Sequence, residues 1–394
     1  MRFGVKLCAE ERTASELVTD AARAEQAGFD FAAISDHFHP WVDAQGESPF
    51  VWGVLGGVAA VTDELEVGTA VTCPTVRTHP AIVAHAAATA ATMLEGRFFL
   101  GVGTGEWLNE HVTGARWPRP GERRDMLREA VEVIRALWSG ELVEHEGAHY
   151  RVEGARLYSL PESPPPIMVA AGGPEAARLA AEIGDGLIGT SPNGELVGAY
   201  REGAGAGARA YAEIGVCWSL DPDEGLRTAV ERWPNAGLPG SLSTELAMPS
   251  HFEDASSLVG TDELRGSSSS DPTCSPTWSG HTDTPRPGTT ACGSTRSARI
   301  RMGSARSLRR NCSQRSDLDA GASPRPCGGA TGGRLMSTCA RDQRRWTGCC
   351  ARLRRAASTP GPSSPGLALC ASTLDGRGRV GDRRWFRPTV LGCW

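Results

Sequence analysis

Apolar residues recur along residues 1–235 in short runs that alternate with longer stretches of helical spacing. The run FGVKLCA predicts a first strand, and it is followed by TASELVTDAARAEQAG, in which Leu17, Ala21 and Ala24 recur at helical spacing before Gly28 ends the helix. The alternation gives seven strand-then-helix units, whose other strands are predicted in FDFAAISDH, LEVGTAVTC, RFFLGVGTG, PIMVAAGG, GLIGTSP and AEIGVCWSL. A hairpin insert, LVEHEGAHYRVEGARLYSLP, precedes the fifth unit. This pattern predicts a mostly parallel sheet covered by helices on both faces.

Polar and glycine-rich residues follow the predicted strands directly. They are Asp36-His37, Cys73-Pro74-Thr75, Thr104-Gly105-Glu106, Gly172-Gly173 and Thr190-Ser191. No G-x-G-x-x-G follows the first strand, which disfavours an open dinucleotide-binding sheet. A (β/α)8 barrel builds its active site where these residues stand, at the carboxyl ends of the strands. We therefore predict an α/β fold, a TIM-type (β/α)8 barrel over residues 1–264 whose last β/α unit is missing or frame-shifted.

Composition changes abruptly after residue 264. Residues 1–264 carry 19 Lys and Arg against 39 Asp and Glu, whereas residues 265–394 carry 22 Arg, no Lys and 7 Asp. Those last 130 residues contain one Ile, two Val and one Phe, which is too little apolar side chain to offset chain entropy. We expect a disordered, low-complexity tail rich in Arg, Ser, Pro and Cys.

The composition of this tail is typical of GC-rich codons translated out of frame. With permissive codons, STRSARIRMGS read two nucleotides later spells HQIGPDQDGF, and LRRNCSQRS spells AEELLPAL, an ordinary amphipathic helix end. We therefore interpret residues 265–394 as an out-of-frame translation.

Other function classes are disfavoured by the same composition. An Arg-rich tail could bind nucleic acid, but this one lacks interleaved aromatic residues and Lys, and its nine cysteines include no C-x-x-C pair that would indicate zinc. No stretch approaches 18 apolar residues, and the N-terminus has no apolar signal core, so we expect a cytoplasmic protein that binds neither membrane nor metal.

The segment SDHFHPW, Ser35 to Trp41, ends the second predicted strand. Asp36 and His37 point to opposite faces of an extended chain, so one can hold the backbone while the other enters the barrel mouth. An imidazole exchanges protons near neutral pH, Trp41 can wall a planar ring, and His39 could join the same site. The structural alternative is a capped turn with a packed tryptophan.

Two glycine-rich segments also follow strands. GVGTGEWLNE places Glu106 at a strand end, where a carboxylate beside a ring can pass a proton, although a tight loop is the alternative. AAGGPEAARLA joins a strand to a helix through Gly172, Gly173 and Pro174. The N–H groups at that helix start suit a phosphate, although proline in a first helical turn is also ordinary capping.

Four motifs stand together in an order and at spacings that resemble the luciferase-like superfamily. They are SDHFHPW, GTAVTCPTVRTHPA, FFLGVGTGEWLNE and MVAAGGPEAA. The branch they resemble is that of the deazaflavin-dependent glucose-6-phosphate dehydrogenases, which use coenzyme F-420 (an 8-hydroxy-5-deazaflavin). The resemblance covers residues 2–264 and implies a TIM-type barrel that forms a homodimer.

By position, the resemblance implies catalytic roles for three residues. His37 would take the substrate hydroxyl proton, Trp41 would stand beside the reacting centre, and Glu106 would be the proton-handling carboxylate. The coenzyme contacts implied are Asp36, Ala70, Val71, Cys73, Thr104, Gly105, Asn109, Gly172, Gly173, Glu175 and Ala176. Ala70-Val71 matches a segment that carries a non-proline cis peptide in relatives.

The implied substrate site departs from that branch. Thr190 matches a residue that contacts the substrate phosphate, but the lysine expected three positions on is Asn193, and Lys6 is the only lysine in the chain. An anionic phosphate would lose its main charge partners. We therefore predict an oxidoreductase that transfers hydride between an alcohol-like substrate other than glucose 6-phosphate and coenzyme F-420. The alternatives are an FMN-dependent monooxygenase of the same superfamily and, from another class, an inactive frame-shifted product or a nucleic-acid-binding protein.

Overall fold

A curled parallel sheet forms the centre of the protein. The structure, a computed structural model, describes residues 2–217, 222–238 and 240–260 together with short strands at 268–269, 368–372 and 390–393. Seven strands pair in parallel in the order β1-β2-β3-β4-β7-β8-β9; they are β1 (Phe3–Leu7), β2 (Phe31–Ile34), β3 (Glu66–Thr69), β4 (Phe98–Val102), β7 (Ile167–Ala171), β8 (Gly186–Gly189) and β9 (Arg209–Val216). The seven predicted units and their parallel pairing are confirmed.

Helices connect these strands and cover the outside of the sheet. They are α1 (Ala14–Gln26), α2 (Val51–Ala59), α3 (Pro80–Met93), α4 (Trp107–Glu110), α5 (Pro120–Leu137), α6 (Pro174–Ile183), α7 (Gly194–Ala204), α8 (Pro222–Arg232), α9 (Leu242–Glu245) and α10 (Pro249–Ser256). The predicted hairpin is an antiparallel pair, β5 (Val143–Glu146) and β6 (Arg151–Ala155). The fold class predicted from the sequence, an α/β barrel, is confirmed.

Within residues 265–394, the structure describes three short strands, which join the main sheet. They are β10 (Ser268–Ser269), β11 (Ala368–Ser372) and β12 (Val390–Cys393). Strand β11 pairs in parallel with both β9 and β1, and β12 pairs antiparallel with β1 and β11. The rest of the predicted disordered tail lies outside the described residues, so its origin from an out-of-frame translation stays a hypothesis.

Local sequence explains where the helices begin. Helix α1 begins with a capping box in which the Thr13 hydroxyl accepts from the Glu16 N–H and the Glu16 carboxylate accepts from the Thr13 N–H. Helices α3, α5 and α6 each have proline in the first turn, where a missing N–H costs nothing. The residues at which these helices begin set the lengths of the loops between the carboxyl ends of the strands and the helices.

Two apolar layers lie on either side of the strands. The layer between strands and helices is mostly aliphatic, whereas the layer inside the barrel contains Phe31, Ala33, Phe99, Met168, Ile188 and Tyr211. Glycines make room for its rings: a Cβ at Gly68 would lie 2.3 Å from Phe99, and one at Gly4 would lie 2.4 Å from Phe31. The interior is thus filled by rings, and polar chemistry is confined to the strand ends above them.

Within the part of the chain that the structure describes, no helix is long and apolar enough to cross a membrane.

Candidate active site

His37 lies after β2 with its ring between two carboxylates. The His37 Nε2 atom is 3.5 Å from Glu10 Oε1 and 3.7 Å from Glu106 Oε2, while Nδ1 is 3.1 Å from the main-chain oxygen of His39. Glu10 comes from the loop after β1 and Glu106 from the loop after β4. The loops after three strands therefore bring Glu10 and Glu106 to one imidazole.

The two carboxylates differ in their access to water. The side chain of Glu10 is 1% exposed, whereas that of Glu106 is 29% exposed. Burial alone would raise the pKa of Glu10, but the charges of His37 and Lys6 and the hydroxyl of Ser35, which donates to Glu10 Oε2 at 2.6 Å, hold it below its ordinary value. Glu10 is therefore an ionised, water-shielded partner of the imidazole, and Glu106 is a partner that solvent can reach.

Trp41 lies against His37. The two ring centroids are 4.9 Å apart, and the other side of the indole packs edge-on against Phe252 at 5.1 Å. Gln45 fixes the backbone here, because its side-chain oxygen accepts from the Trp41 N–H and its amide donates to the Arg232 carbonyl. The indole is thus a fixed wall beside the imidazole.

His39 has a different environment from His37. Its Nδ1 atom is 3.0 Å from the Leu108 carbonyl oxygen, and its ring stacks on His111 at 5.5 Å. These contacts differ from the expectation that His39 joins the same site as His37. The His39 ring instead contacts α4 and the turn that follows it.

Asp36 is buried on the other side of the same strand end. Its Oδ2 atom accepts from the Thr72 hydroxyl at 2.8 Å, and its Oδ1 atom accepts from Arg77 Nη2 at 3.0 Å. Asp36 and His37 therefore have separate neighbours, in agreement with the opposite faces predicted for them. Thr72 follows Ala70-Val71, which are joined by a cis peptide bond, the feature that the resemblance implied.

The short helix α4 joins the loops that carry these residues. The Asn109 side-chain oxygen accepts from the N–H groups of Phe38 and His39, and its amide nitrogen donates to Glu106 Oε2 at 3.1 Å. The neighbouring Glu110 Oε2 accepts from the N–H groups of residues 76 and 77. Two consecutive buried side chains thus each bind two consecutive main-chain amides of an adjacent loop.

A cluster of charge lies beneath this helix. Burial raises the pKa of Glu110 to about 7, against the opposing effect of Arg77. The thiol of Cys73 is buried beside Glu110, Glu106, Arg77 and Asp36, and burial raises its pKa well above the ordinary range. Cys73, a predicted coenzyme contact, is therefore a neutral packed thiol.

The glycines after β7 provide open space at the start of α6. A Cβ added at Gly172 or Gly173 would meet nothing within 4 Å, and Gly173 is the residue before Pro174. Main-chain N–H groups beside such open space, at a helix N-terminus, suit an anionic group such as the phosphate of a flavin or deazaflavin coenzyme. Nearby, the exposed Glu175 pairs with Arg124, and Ala176 occupies the same first helical turn.

Thr190 and Asn193, the predicted substrate residues, follow β8. Thr190 is exposed. The Asn193 side-chain oxygen accepts from the N–H groups of Glu195 and Leu196 and so caps α7. Asn193 thus has a structural role at the position where a phosphate-binding lysine was expected. Thr104 and Gly105 lie between β4 and Glu106, and Gly105 adopts a φ of +87°, which favours glycine.

Several residues of this site were not predicted from the sequence. Glu10 and Arg77 lie in loops without periodicity, and Glu110 ends a helix of four residues. The motif EER, residues 10–12, follows a strand directly and was the available signal for Glu10. Among the described residues, no group of three or more His, Cys, Asp or Glu side chains is placed to hold a metal ion.

Known relatives share this fold and much of this sequence. Residues 1–249 match the luciferase-like monooxygenase family. An F-420-dependent glucose-6-phosphate dehydrogenase from Nocardia farcinica is 39% identical over 278 residues, which cover 67% of this chain and 82% of the relative. The enzyme of the same description from Mycolicibacterium smegmatis is 38% identical over the same shares of both chains.

Solved structures agree with these matches. A solved F-420-dependent secondary alcohol dehydrogenase, in complex with an F-420-acetone adduct, is 30% identical over 68% of this chain and 85% of its own, with a TM-score of 0.64. A monooxygenase from Streptomyces bottropensis is 26% identical over 68% of this chain and 87% of its own, with a TM-score of 0.51. The chain therefore belongs to the luciferase-like family.

Proposed function

We propose that this protein is an oxidoreductase that uses coenzyme F-420 to oxidise an alcohol or to reduce the corresponding carbonyl compound. The observation that carries the proposal is the position of His37, between the carboxylates of Glu10 and Glu106 and beside the ring of Trp41. The relatives described as F-420-dependent dehydrogenases support the choice of coenzyme. When bound, the deazaflavin ring supplies the hydride acceptor or donor.

His37 is suited to receive the hydroxyl proton when hydride leaves the alcohol carbon. Glu10 lies 3.5 Å from Nε2 and stays ionised, so it stabilises the imidazolium that forms. Glu106 is close to the same nitrogen and open to water, so it can exchange the proton with the coenzyme or with solvent. Trp41 excludes water from one side of the reacting atoms.

The coenzyme-contact residues given by the resemblance stay part of this proposal. Asp36 is held by Thr72 and Arg77 at the end of β2, and Gly172 and Gly173 leave open space for an anionic group at α6. Between these lie Ala70, Val71 and Gly103, in a close arrangement where a Cβ on Gly103 would lie 2.7 Å from Val71. The residues present thus fit a planar ring with a phosphate-bearing side chain.

We propose an uncharged alcohol as the substrate class rather than glucose 6-phosphate. Lys6, the only lysine, is in an ion pair with Glu213 at 2.8 Å, and Asn193 caps a helix where a phosphate-binding lysine was expected. A dianionic phosphate is bound well only where cations or several N–H donors face it. The relative described as a secondary alcohol dehydrogenase is consistent with this class.

Coenzyme binding followed by turnover tests the proposal. The full chain is titrated with coenzyme F-420 and, separately, with FMN, and binding is followed by the change in coenzyme fluorescence. We expect saturable binding of F-420. Secondary alcohols should reduce the bound coenzyme, which is seen as a loss of its absorbance, and glucose 6-phosphate should cause little loss. Tight binding of FMN, with oxygen consumed once the FMN is supplied in its reduced form, would instead support the monooxygenase alternative, which the family match keeps open. The homodimer remains a prediction that light scattering would check.

A further inference from the structure

Arg77 lies behind the proposed coenzyme site, in the loop after β3. Its side chain is 11% exposed. Nη2 donates to Asp36 Oδ1 at 3.0 Å and also to the Asp36 main-chain oxygen at 3.2 Å. A single guanidinium nitrogen therefore fixes both the carboxylate and the backbone of Asp36, the residue directly before His37.

Glu110 holds Arg77 from the other side. The Glu110 Oε2 atom accepts from the Arg77 main-chain N–H at 2.6 Å, and Glu110 Oε1 lies 3.7 Å from Arg77 Nε. Glu110 Oε1 and Arg77 Nε are both buried, and neither makes a hydrogen bond in the structure. The fork of the guanidinium thus faces two carboxylates at once, which a lysine ammonium cannot do with fixed geometry.

The charges around this pair explain why a cation is needed there. The charged groups that act on the neighbouring Cys73 thiol are the carboxylates of Glu110, Glu106 and Asp36 and the guanidinium of Arg77. Arg77 therefore pairs with two buried carboxylates, those of Asp36 and Glu110, whereas Glu106 is partly exposed. Removing Arg77 would leave both buried carboxylates without their cation, which is costly in a low-dielectric environment.

We propose that Arg77 is a positioning residue that fixes the Asp36 carboxylate for the coenzyme, and that Glu110 positions Arg77. In this proposal both residues act through Asp36 and not through a contact of their own with the coenzyme. The inference rests on the proposed function, because it is Asp36 that is taken to contact the deazaflavin. It adds Arg77, in the loop after β3, and Glu110, at the end of α4, to the part of the protein that sets coenzyme affinity.

A double-mutant cycle on coenzyme affinity tests this inference. The dissociation constant Kd of F-420 is measured by fluorescence for the wild type, Arg77→Met, Asp36→Asn and the double variant. We expect each single variant to weaken binding by about tenfold or more, as for loss of a charged hydrogen bond. The double variant should bind no more weakly than Asp36→Asn alone, because Arg77 acts through Asp36. Effects that multiply in the double variant would overturn the inference.

Two further variants separate positioning from folding. Arg77→Lys keeps the cation but not the fork, so its Kd should lie between those of the wild type and Arg77→Met. Glu110→Gln should weaken binding less than Arg77→Met. Wild-type affinity in all the Arg77 and Glu110 variants that fold would contradict the proposal. If Arg77→Met does not fold, the cycle is run with Arg77→Lys. The criterion is the same: the double variant should bind F-420 no more weakly than Asp36→Asn alone.

Arg97 provides a matched control at the opposite end of the barrel. Its guanidinium donates to the carbonyls of Thr62 and Leu65, which lie before β3. Arg97→Met should lower the melting temperature Tm and leave the Kd of F-420 unchanged, and combined with Asp36→Asn it should add nothing to the loss of affinity. A wild type that binds no F-420 would mean that the proposed function fails, which is distinct from binding that is insensitive to Arg77.

Discussion

The two ring nitrogens of His37 have unequal surroundings. Nδ1 faces a main-chain oxygen of its own loop, whereas Nε2 faces Glu10 and Glu106. When Nδ1 donates its hydrogen to the carbonyl, Nε2 carries the lone pair, so it is the nitrogen that can accept a proton. In that tautomer, the carbonyl of His39 selects Nε2 as the ring nitrogen that accepts the proton.

His37→Asn should lower kcat/KM for the alcohol by about 10²- to 10⁴-fold, the usual range for loss of a general base. The Kd of F-420 should change little, because Asp36 and the glycine loops are untouched. His39→Asn is the matched control, since its ring bonds to the Leu108 carbonyl and stacks on His111 instead. Steady-state kinetics of both variants checks this, and equal losses of activity would refute the assignment.

Glu11 is a second buried carboxyl in the loop after β1. Burial raises its pKa to about 8, against the opposing effects of the Trp233 indole and of Arg12 and Arg232. The folded state therefore holds a proton that the unfolded chain, with an ordinary glutamate pKa of 4.5, has released. Stability must fall as pH rises between those two values.

We expect the free energy of unfolding to decrease between about pH 5 and about pH 8, with Glu11 contributing at most about 1.4 kcal/mol per pH unit. Glu110, whose pKa is about 7, acts in the same direction over a narrower range. Glu11→Gln should flatten the curve, and urea unfolding at several pH values measures it. Glu153→Gln, at an exposed position, should leave the slope unchanged. Parallel curves for the wild type and Glu11→Gln would contradict the prediction.

At the scale of elements, α4 is the smallest helix that the site depends on. It has four residues, yet it contributes Asn109 and Glu110 to two neighbouring loops and follows Glu106 directly. A helix this short shows no hydrophobic period, so the sequence pattern gave no sign of it. Its stability comes from these tertiary hydrogen bonds rather than from helix propensity.

Asn109→Ala should destabilise the protein by about 1–3 kcal/mol, because the N–H groups of Phe38 and His39 lose a buried acceptor. The same variant should lower kcat, since that loop carries His37. Asn109→Asp keeps an acceptor oxygen but replaces the donor with a buried carboxylate against Glu106 Oε2, so at neutral pH it should also be destabilised and have a lower kcat. Chemical unfolding and steady-state kinetics measure these effects. Wild-type stability of Asn109→Ala would show that the loop does not need this acceptor.

The strands and long helices could be predicted because each shows a strong local period. Leu17, Ala21 and Ala24 mark the buried face of α1, and the apolar run around Phe99 is a strand buried on both sides. The site was predictable where the sequence places unusual residues directly after a strand, as at His37 and Glu106. Arg77 could not be found this way, because an arginine in a loop normally lies at the surface.

At the scale of the whole molecule, the barrel ring depends on residues from both compositional parts of the chain. Seven parallel strands come from residues 3–216, and β11 pairs with both β9 and β1. A regular barrel needs an eighth strand at this place. If residues 265–394 are an out-of-frame translation, the segment encoded in the correct frame would supply this eighth strand in place of β11.

Sequencing the DNA across codons 255–320 checks that hypothesis, and we expect an insertion or deletion near codon 265. The chain with its frame restored, containing HQIGPDQDGF and AEELLPAL, should have a higher Tm and bind F-420 more tightly than the chain with the present residues 265–394. The chain ending at residue 264 should be the least stable of the three, because the edges of β1 and β9 are then uncovered. An intact reading frame in the gene would refute the hypothesis.

The ion pair between Lys6 and Glu213 has a practical consequence. Lys6 is the only lysine of the chain, and its side chain is 14% exposed inside the barrel. An amine-reactive reagent such as an N-hydroxysuccinimide ester therefore finds one slow target besides the α-amino group. The rate at which Lys6 is acylated, read by peptide mass spectrometry, reports how often the barrel opens between β1 and β9. Bound coenzyme should slow that rate if it restrains the strands on which Lys6 and Glu213 lie, so the one side-chain amine of the chain reports on opening of the barrel without engineering.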